Sequence, residues 1–378
     1  MGVEEEVGTM RIVVLGLRGF PNVQGGVEKH CENLYPRLVK LGCEVIVLGR
    51  QPYVGDQEYS YQGVTIKPLA CPKNKFLEAF MHTRQGVREA KRLSPDILHI
   101  HAVGPSLFVP LVKALGMKVV MTHHGPDYER KKWNWFAKMV LRFAESQGCR
   151  NADEIICISK QIAQDVKVKF GRDAAVIPNG VVMPEGVATD EALRKYGLEK
   201  GKYVLAVGRF VPEKGFGELI EAWRGLEPRG SWKLVIVGDA DHEDEYSRKL
   251  KEKAKGVPGV VLTGRLTGTP LQELYACAGL FVLPSYYEGL PIVLLEAMSY
   301  GLSCVVSDIS ANREVPLAPE RYFKAGDVEG MAKKILEFID KPMGEDEKSL
   351  QLVVIRENYD WEKVAKSTLD VYLSKGNR

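Results

Sequence analysis

Short apolar runs alternate with longer stretches of helical periodicity through the first half of the chain. The strand-like runs are Ile12–Leu15, Val45–Leu48, Val64–Pro68, Ile97–Ile100, Val119–Thr122, Ile155–Ile158 and Ala175–Ile177. The helical stretches between them lie near residues 26–41, 76–93, 105–115, 133–148 and 159–170. Strands that alternate with helices indicate βαβ units and a mainly parallel sheet.

The same alternation restarts in the second half, after a turn signal at residues 178–180 and a linker-like stretch over 181–200 with one short helix. The apolar runs there are Tyr203–Val207, Leu234–Val237, Val260–Leu262, Leu280–Leu283 and Cys304–Val306. The helical stretches lie near residues 215–226, 243–255, 270–278, 291–300, 327–339, 346–356 and 361–373. We predict two related α/β folds, with functional residues just past the strands, where open parallel sheets bind ligands.

Residues 285–301 carry the densest candidate chemistry. Glu288 falls in a turn after an apolar run, and Pro291 suits the first turn of a helix that contains Glu296 and stops at Gly301. Backbone N–H groups of Gly289 and Leu290 beside two carboxylates would suit a diphosphate and sugar hydroxyls. The alternative is two surface glutamates beside an ordinary helix, since acids are common near helix starts.

A glycine-rich loop follows the first predicted strand. Gly25 and Gly26 precede a helix that begins near Val27, which is typical of a backbone that approaches an anion closely. The spacing is not G-x-G-x-x-G, so the dinucleotide fingerprint is absent. A plain glycine turn is the alternative interpretation.

Histidines follow two more predicted strands. His99 and His101 point to the same side of one strand, and His101, at its carboxyl end, is placed to donate to a substrate oxygen. A structural role suits His99 better than His101. His123 and His124 follow the next strand, and because no third ligand at metal spacing accompanies either pair, we reject zinc.

Cations open the second half in the same position. Arg209 follows its first strand and Lys214 opens the next helix, which suits a diphosphate, although solvated surface charge is the alternative. Asp239 and Asp241 form a D-x-D pattern, which in another class of transferases holds a divalent metal. The pattern is also typical of a solvated loop before a helix, and we expect no metal there.

The overall composition is that of an ordinary soluble protein, with 378 residues, a formal charge of +3 and 27% charged residues. The near-neutral balance gives no support to nucleic-acid binding. Seven cysteines are present without a C-x-x-C pair, and residues 1–9 form an acidic stretch that indicates a leader. No apolar run is long enough to span a membrane. Together these features predict a cytoplasmic protein. The basic, aromatic segment 127–143 fits either peripheral membrane contact or a helix with an apolar core face.

With these residues in hand, nearly the whole chain resembles glycosyltransferase family 4, the group 1 retaining enzymes of GT-B type. The matching pieces are the Gly25–Gly26 loop, ILHIHAVGPS around His101, THHG around His124, PNG at Asn179, GRFVPEKG with Arg209 and Lys214, and the E-x7-E pair Glu288 and Glu296. The opening residues look closest to a rhamnosyltransferase-like subgroup that builds polysaccharides. Val182 stands where the family often has aspartate, which puts one donor or interdomain contact in doubt.

The resemblance implies two Rossmann-like domains facing a central cleft: an acceptor domain over residues 1–181, joined by a C-terminal helix at about 360–378, and a nucleotide-sugar donor domain over 182–359. It implies that Arg209 and Lys214 hold the donor diphosphate without a metal. The implied backbone donors to phosphate or sugar are Gly26, Gly289 and Leu290. Glu288 would hold the hydroxyls of the donor sugar, Glu296 those of the ribose, and His101 would lie near the reacting carbon.

The expected activity is a retaining, metal-independent transfer, of hexosyltransferase type, from a nucleotide diphosphate sugar, with UDP-sugars favoured. The acceptor would be a glycan, a lipid-linked sugar or a small molecule, and no cofactor is expected. Two alternatives stay open: a nucleotide-sugar 2-epimerase of related fold, and a non-catalytic nucleotide-sugar binding protein. The sharpest geometric expectation is that Glu288 lies at the interdomain cleft and faces His101.

Overall fold

The computed structural model describes residues 9–72, 77–129, 133–186, 189–226, 230–241 and 243–374. The chain divides into two compact units. The first unit runs to Asn179 and also includes the chain from Trp361 onward, and the second unit is Gly180–Asp360. Except for Thr9, the predicted N-terminal leader lies outside the described residues.

The first unit is built on an eight-stranded sheet in the order β3-β4-β2-β1-β5-β6-β7-β8, in which only the β3–β4 pair is antiparallel. Its strands are β1 Arg11–Leu15, β2 Glu44–Arg50, β3 Tyr59–Tyr61, β4 Val64–Leu69, β5 Ile97–His101, β6 Val119–His123, β7 Glu154–Cys157 and β8 Ala175–Val176. Its helices before the linker are α1 Gly26–Lys40, α2 Gln51–Val54, α3 Leu77–Leu93, α4 Val109–Ala114, α5 Trp135–Asn151 and α6 Lys160–Phe170.

The second unit is built on a fully parallel six-stranded sheet in the order β11-β10-β9-β12-β13-β14. Its strands are β9 Tyr203–Val207, β10 Lys233–Val237, β11 Val260–Gly264, β12 Leu280–Leu283, β13 Cys304–Ser307 and β14 Tyr322–Phe323. Its helices are α7 Glu191–Tyr196, α8 Phe216–Arg224, α9 Glu245–Lys255, α10 Thr269–Cys277, α11 Ile292–Ser299, α12 Ser310–Arg313, α13 Val328–Asp340 and α14 Glu345–Asn358.

The last helix, α15 Trp361–Leu373, belongs to the first unit. It packs against α1, where Arg37 Nε donates to Glu362 Oε1 at 2.9 Å. Tyr372 lies in the core of the first unit, and its hydroxyl is 2.6 Å from His99 Nδ1. Periodicity predicted this helix correctly, and only the fold shows where its apolar stripe is buried.

Both sheets reverse their strand order at one point, β1 against β5 in the first unit and β9 against β12 in the second. Such a switch point opens a crevice past the carboxyl ends of the two strands. A glycine allows the loops to approach each other there in each unit. Gly16, with φ 107°, lies against the carbonyl of His101, and Gly215, with φ 67°, against that of Pro284, so that a Cβ at either position would overlap the oxygen.

The prediction of two parallel α/β folds is confirmed, and the differences are local. The strand β3 was missed because a three-residue edge strand carries too little periodicity, and β14 has only two residues. The predicted helix at 105–115 is a 3-10 turn, Pro105–Phe108, followed by α4. Pro291 has an extended backbone, with ψ 96°, so it precedes α11 as its N-cap and is not in the first turn.

Candidate functional site

The loop that follows β1 is fixed from behind by an ion pair. Arg18 Nε lies 3.0 Å from Glu28 Oε1, both side chains are largely buried, and Arg18 also donates to the carbonyl of Gln24. Burial alone would raise the pKa of Glu28, but the charge and hydrogen bonds of Arg18 outweigh it and lower that pKa. The pair therefore stays ionised and holds the loop rigid against the first turn of α1.

The fold constrains the two glycines of this loop differently. Gly25 has φ 153°, and a Cβ there would collide with the carboxylate of Glu28, so the fold itself demands glycine. A Cβ at Gly26 would meet no atom within 4 Å. The protein's own packing therefore does not explain Gly26, which leaves the N-terminus of α1 open to an approaching group.

Three histidines from separate elements meet at the carboxyl edge of the first sheet. His30 from α1, His101 from β5 and His124 after β6 form the histidine cluster, in which one nitrogen of each ring lies within 4.8 Å of the others. His101 Nδ1 is 2.9 Å from His124 Nε2, and His30 Nδ1 is 2.9 Å from Asn179 Oδ1. The PNG motif of the sequence thus serves to orient His30.

Burial is the main cause that lowers the pKa of every ring in the histidine cluster. It brings the pKa of His30 to about 4, and the pKa values of His101 and His124 also fall well below normal. Neighbouring histidines add to the effect at His101 and His124. Near pH 7 the three imidazoles are therefore neutral, and each donates with one nitrogen and accepts with the other.

His101 itself has no exposed surface in this structure. Its Nε2 is 2.5 Å from the hydroxyl of Tyr35, and its Nδ1 is taken by His124, which is only partly buried. A substrate oxygen would reach His101 only by replacing one of these partners, whereas His124 already presents surface. The sequence singled out His101 and gave His124 no role of its own.

The same three rings could hold a metal ion, since neutral imidazoles are common ligands for one. The prediction from sequence spacing that no third ligand accompanies the histidine pairs is wrong, because α1 supplies His30. Against a metal stands the hydrogen bonding, which already engages both nitrogens of His101 and Nδ1 of His30.

His99 and His123 are buried histidines with partners on both sides. His99 Nδ1 is 2.6 Å from the hydroxyl of Tyr372 and its Nε2 is 2.7 Å from Thr122 Oγ1. His123 Nε2 is 2.9 Å from Glu145 Oε1, and its Nδ1 accepts from the backbone N–H of Gly125. These contacts give both residues structural roles.

In the second unit, Lys214 and Glu288 form an ion pair across the switch point. Lys214 ends a 3-10 turn after β9, and Glu288 follows β12. The Lys214 Nζ to Glu288 Oε1 distance is 2.5 Å, and Ser285 Oγ donates to the same oxygen at 2.6 Å. The exposed fractions of the two charged side chains are only 15% and 12%, so water screens this pair weakly.

Arg209 precedes Lys214 in the same loop after β9 and bonds to the D-x-D loop. Its Nη1 is 3.0 Å from Asp241 Oδ2, while Asp239 Oδ1 is 2.9 Å from Lys251 Nζ. Both aspartates are therefore balanced by a cation of the chain. His242 of the same run lies outside the described residues. This arrangement favours the interpretation of a charged loop over that of an open metal site.

Glu296 lies one and a half turns into α11 and is partly buried. The hydroxyl of Tyr275 donates to its Oε2 at 3.0 Å. Burial, and next the charge of Glu296, raise the pKa of Tyr275 well above normal, so this phenol keeps its proton. Gly289 and Leu290 precede Pro291 at the N-terminal end of the same helix.

The predicted site residues thus fall into two groups, and the fold brings each group to a switch point. Gly25, Gly26 and His101 lie in the first unit. The second unit holds Arg209, Lys214, Glu288, Gly289, Leu290 and Glu296. That Glu288 faces His101 stays a prediction. The sequence did not predict that five further residues contribute to the site, namely His30, Tyr35, Ser285, Arg18 and Glu28. The signal available for His30 was its place in the same glycine-rich stretch.

Comparison with known proteins accounts for this arrangement. Residues 24–183 match the family model for Glycosyltransferase Family 4, and residues 201–341 match that for Glycosyl transferases group 1. Together the two matches include every predicted site residue. The chain belongs to these glycosyltransferases, and the resemblance inferred from its motifs is confirmed.

Relatives extend along the whole chain. The uncharacterised glycosyltransferase MJ1607 of Methanocaldococcus jannaschii is 26% identical over 403 residues, which cover 96% of this chain and 98% of that protein. The Bacillus subtilis protein TuaC, named as a teichuronic acid biosynthesis glycosyltransferase, is 28% identical over 247 residues. That alignment covers 64% of this chain and 59% of TuaC.

Solved structures define the fold as GT-B. Sucrose-phosphate synthase from Thermosynechococcus elongatus superposes with a TM-score of 0.83 at 19% identity, covering 96% of this chain and 98% of that one. Anabaena HepE in complex with UDP-glucose superposes with a TM-score of 0.76 at 18% identity, with the same coverage. At sequence identities this low, the superpositions establish the shared fold and nothing more.

Proposed function

We propose that the protein is a retaining, metal-independent glycosyltransferase whose donor is a nucleotide diphosphate sugar, with UDP-sugars favoured. The acceptor is a glycan, a lipid-linked sugar or a small molecule. The observation that carries the proposal is the Lys214–Glu288 ion pair, held by Ser285 at the switch point of the second sheet. A cation, an oriented carboxylate and a helix N-terminus at one switch point suit a phosphorylated sugar.

Arg209 and Lys214 are assigned to the diphosphate. Arg209 provides a planar fork of N–H donors and Lys214 a compact charge, so together they bind both phosphates without a metal. Asp241 now accepts from Arg209, and an incoming phosphate would compete for that guanidinium. As the bond between the sugar and the phosphate breaks, charge grows on the leaving diphosphate, and the two cations stabilise it.

Glu288 and Glu296 are assigned to hydroxyl groups. Lys214 and Ser285 bond to the same oxygen, Oε1 of Glu288, and so fix its orientation toward the donor sugar. Tyr275 fixes Oε2 of Glu296 in the same way, toward the ribose hydroxyls. A carboxylate held by such partners accepts hydrogen bonds from a sugar with little free-energy cost of reorientation. This favours binding of one substrate geometry.

The first unit is assigned to the acceptor and to the reacting end of the donor. The backbone N–H of Gly26 at the N-terminus of α1 suits a phosphate or a sugar oxygen. The histidine cluster is neutral, so His101 or the more exposed His124 would contribute a hydrogen bond and no positive charge. His101 remains the proposed catalytic histidine, and contact with a substrate requires it to exchange its bond to Tyr35 or His124.

Retention is proposed to proceed on one face of the sugar. The acceptor oxygen forms its bond to the anomeric carbon on the side from which the diphosphate leaves, and its proton passes to a phosphate oxygen of the leaving group. Both motif glutamates are engaged in holding hydroxyls, so neither is assigned as a covalent nucleophile, which in a retaining hydrolase lies about 5 Å from its acid partner.

The decisive experiment is a donor screen followed by product analysis. Melting temperature measured with UDP-, GDP- and dTDP-sugars identifies the donor, because a ligand that binds the folded state raises it. Nuclear magnetic resonance of the product then gives the anomeric configuration. Inversion would overturn the retaining assignment. Conversion of the donor without an acceptor would instead identify a 2-epimerase, and binding without turnover would identify a non-catalytic sugar-nucleotide protein.

A further inference from the structure

Large apolar side chains cover the outer side of α5. Trp135 is 76% exposed, Phe136 and Phe143 are each more than half exposed, and Met139 is 49% exposed. These residues recur at the spacing that places them on one face of a helix. Exposed tryptophan and phenylalanine in such density are unusual, since isolated apolar residues on a surface are normal but clusters mark a binding face.

The opposite side of α5 is the one that packs on the protein. It consists of small or polar residues, Ala144, Glu145, Gly148 and Cys149, all of them buried. A Cβ at Gly148 would overlap Ser106 and Met121, which shows how closely the helix approaches the domain on that side. The interpretation that the aromatic residues form the core face of this helix is therefore wrong.

Two neighbouring elements extend the exposed surface. Leu111 on α4 and Phe80 on α3 are each nearly half exposed. The ring of Phe80 lies 5.2 Å, centroid to centroid, from that of Phe108, at an interplanar angle of 53°, and Phe108 belongs to the turn that packs against α5. We call this set the apolar face, and its members are Phe80, Leu111, Trp135, Phe136, Met139 and Phe143. In the part of the chain that the structure describes, no helix has the length and apolar content to cross a bilayer.

The charges around the apolar face are one-sided. The helices α3, α4 and α5 carry eight basic and three acidic residues. Each of the three acids is buried or ion-paired: Glu78 with Arg50, Glu89 with Lys67, and Glu145 with His123. The basic residues Arg84, Arg88 and Arg142 are exposed. The first two follow Phe80 at intervals of four residues, on the same stripe of α3.

We propose that the apolar face docks on the surface of an anionic phospholipid bilayer, with its aromatic side chains inserted among the headgroups and the surrounding cations over the lipid phosphates. A helix with aromatic residues on one side and lysine or arginine beside them is what an anionic interface binds. A second copy of this chain fits less well, because two-fold pairing sets the same basic surroundings against each other. Arg130, Lys131 and Lys132 of this segment lie outside the described residues.

The test is sedimentation of the full chain with vesicles of phosphatidylcholine alone and of phosphatidylcholine mixed with phosphatidylglycerol. We expect binding to the mixed vesicles, because each cation near an anionic surface raises the partition coefficient roughly fivefold. This electrostatic contribution should weaken at high salt. The double variant Trp135→Ser with Phe136→Ser should abolish binding to both kinds of vesicle. Lys138→Gln with Arg142→Gln should remove more than about tenfold of the preference for phosphatidylglycerol.

Matched controls lie on the other unit. Leu350→Ser with Val353→Ser removes two exposed apolar residues of α14, and Lys249→Gln with Lys255→Gln removes two exposed cations of α9. Both controls should bind vesicles as the unchanged chain does. The proposal is overturned if the unchanged chain stays in the supernatant, or if a control loses as much binding. It is also overturned if light scattering without lipid shows a dimer that Trp135→Ser with Phe136→Ser disperses, since the occupant is then a second copy.

Discussion

Lys214 Nζ lies 2.5 Å from Glu288 Oε1, and this ion pair joins the loops that follow β9 and β12. The two residues are 74 positions apart in the chain, and they meet because parallel strands present their carboxyl ends at one edge. Gly215, next to Lys214, makes the approach possible by lying against the carbonyl of Pro284. The pair therefore depends on the sheet topology and on one glycine.

Glu288→Gln should reduce kcat/KM on the order of 100-fold while the protein stays folded, because a neutral amide accepts sugar hydroxyls less well and leaves Lys214 unpaired. The measurement is steady-state transfer with the donor identified by the thermal screen. A matched control is Glu221→Gln, which breaks the pair with Lys253, whose two side chains are 35% and 34% exposed, on the surface of the same unit. Equal losses in the two variants would mean that Glu288 has only a structural role.

Gly26→Ala and Gly25→Ala should separate ligand approach from folding. Alanine at Gly26 meets open space at the start of a helix, so the melting temperature should hold or rise slightly while transfer falls. Alanine at Gly25 collides with Glu28 and takes a strained backbone angle, so the melting temperature should fall. Thermal unfolding and activity are measured on both. Full activity of Gly26→Ala would remove this glycine from the site.

Stability should fall with acid because of the histidine cluster. The folded pKa of His30 is about 4 against an ordinary 6.5, so between these values the unfolded state binds the extra proton. Stability therefore rises with pH across this window and is fully present above about pH 6.5. For one such group the loss from pH 7 to pH 5 is about 2 kcal/mol.

Urea unfolding at pH 7 and pH 5 measures this loss, and the difference cancels any effect that does not depend on pH. His30→Gln can keep a hydrogen bond to Asn179 and no longer titrates, so its pH 5 to pH 7 difference should shrink by the contribution of one group. An unchanged difference in His30→Gln would show that His30 already carries its proton, or is exposed, in the folded protein.

Transfer activity should survive removal of metals. Arg209 and Lys214 supply the charge that a divalent ion would otherwise provide, and Asp239 and Asp241 are already paired with cations. The measurement is the transfer rate after dialysis against EDTA. Loss that Mg²⁺ or Mn²⁺ restores would assign a metal to the D-x-D loop. Loss that Zn²⁺ restores, and that His30→Gln makes irreversible, would assign it to the histidine cluster.

Much of the architecture follows from local pattern. The strand Tyr203–Val207 and the helix Trp361–Leu373 have the bounds that their apolar run and apolar stripe predict. Both signals are strong because a buried parallel strand is apolar throughout and an amphipathic helix repeats every 3.6 residues. Motifs placed directly after strands were assigned correctly to the edges of the sheets, since a parallel topology leaves them no other place.

Local pattern and motifs were therefore enough to predict the two parallel α/β folds, their order along the chain, and the family. Three features became visible only in the folded chain: His30 joins His101 and His124, α15 packs on α1, and the aromatic residues of α5 face outward. The reason is physical. Periodicity shows that a helix has an apolar side, but which side is covered, and which distant rings meet, depends on neighbours that local sequence does not encode.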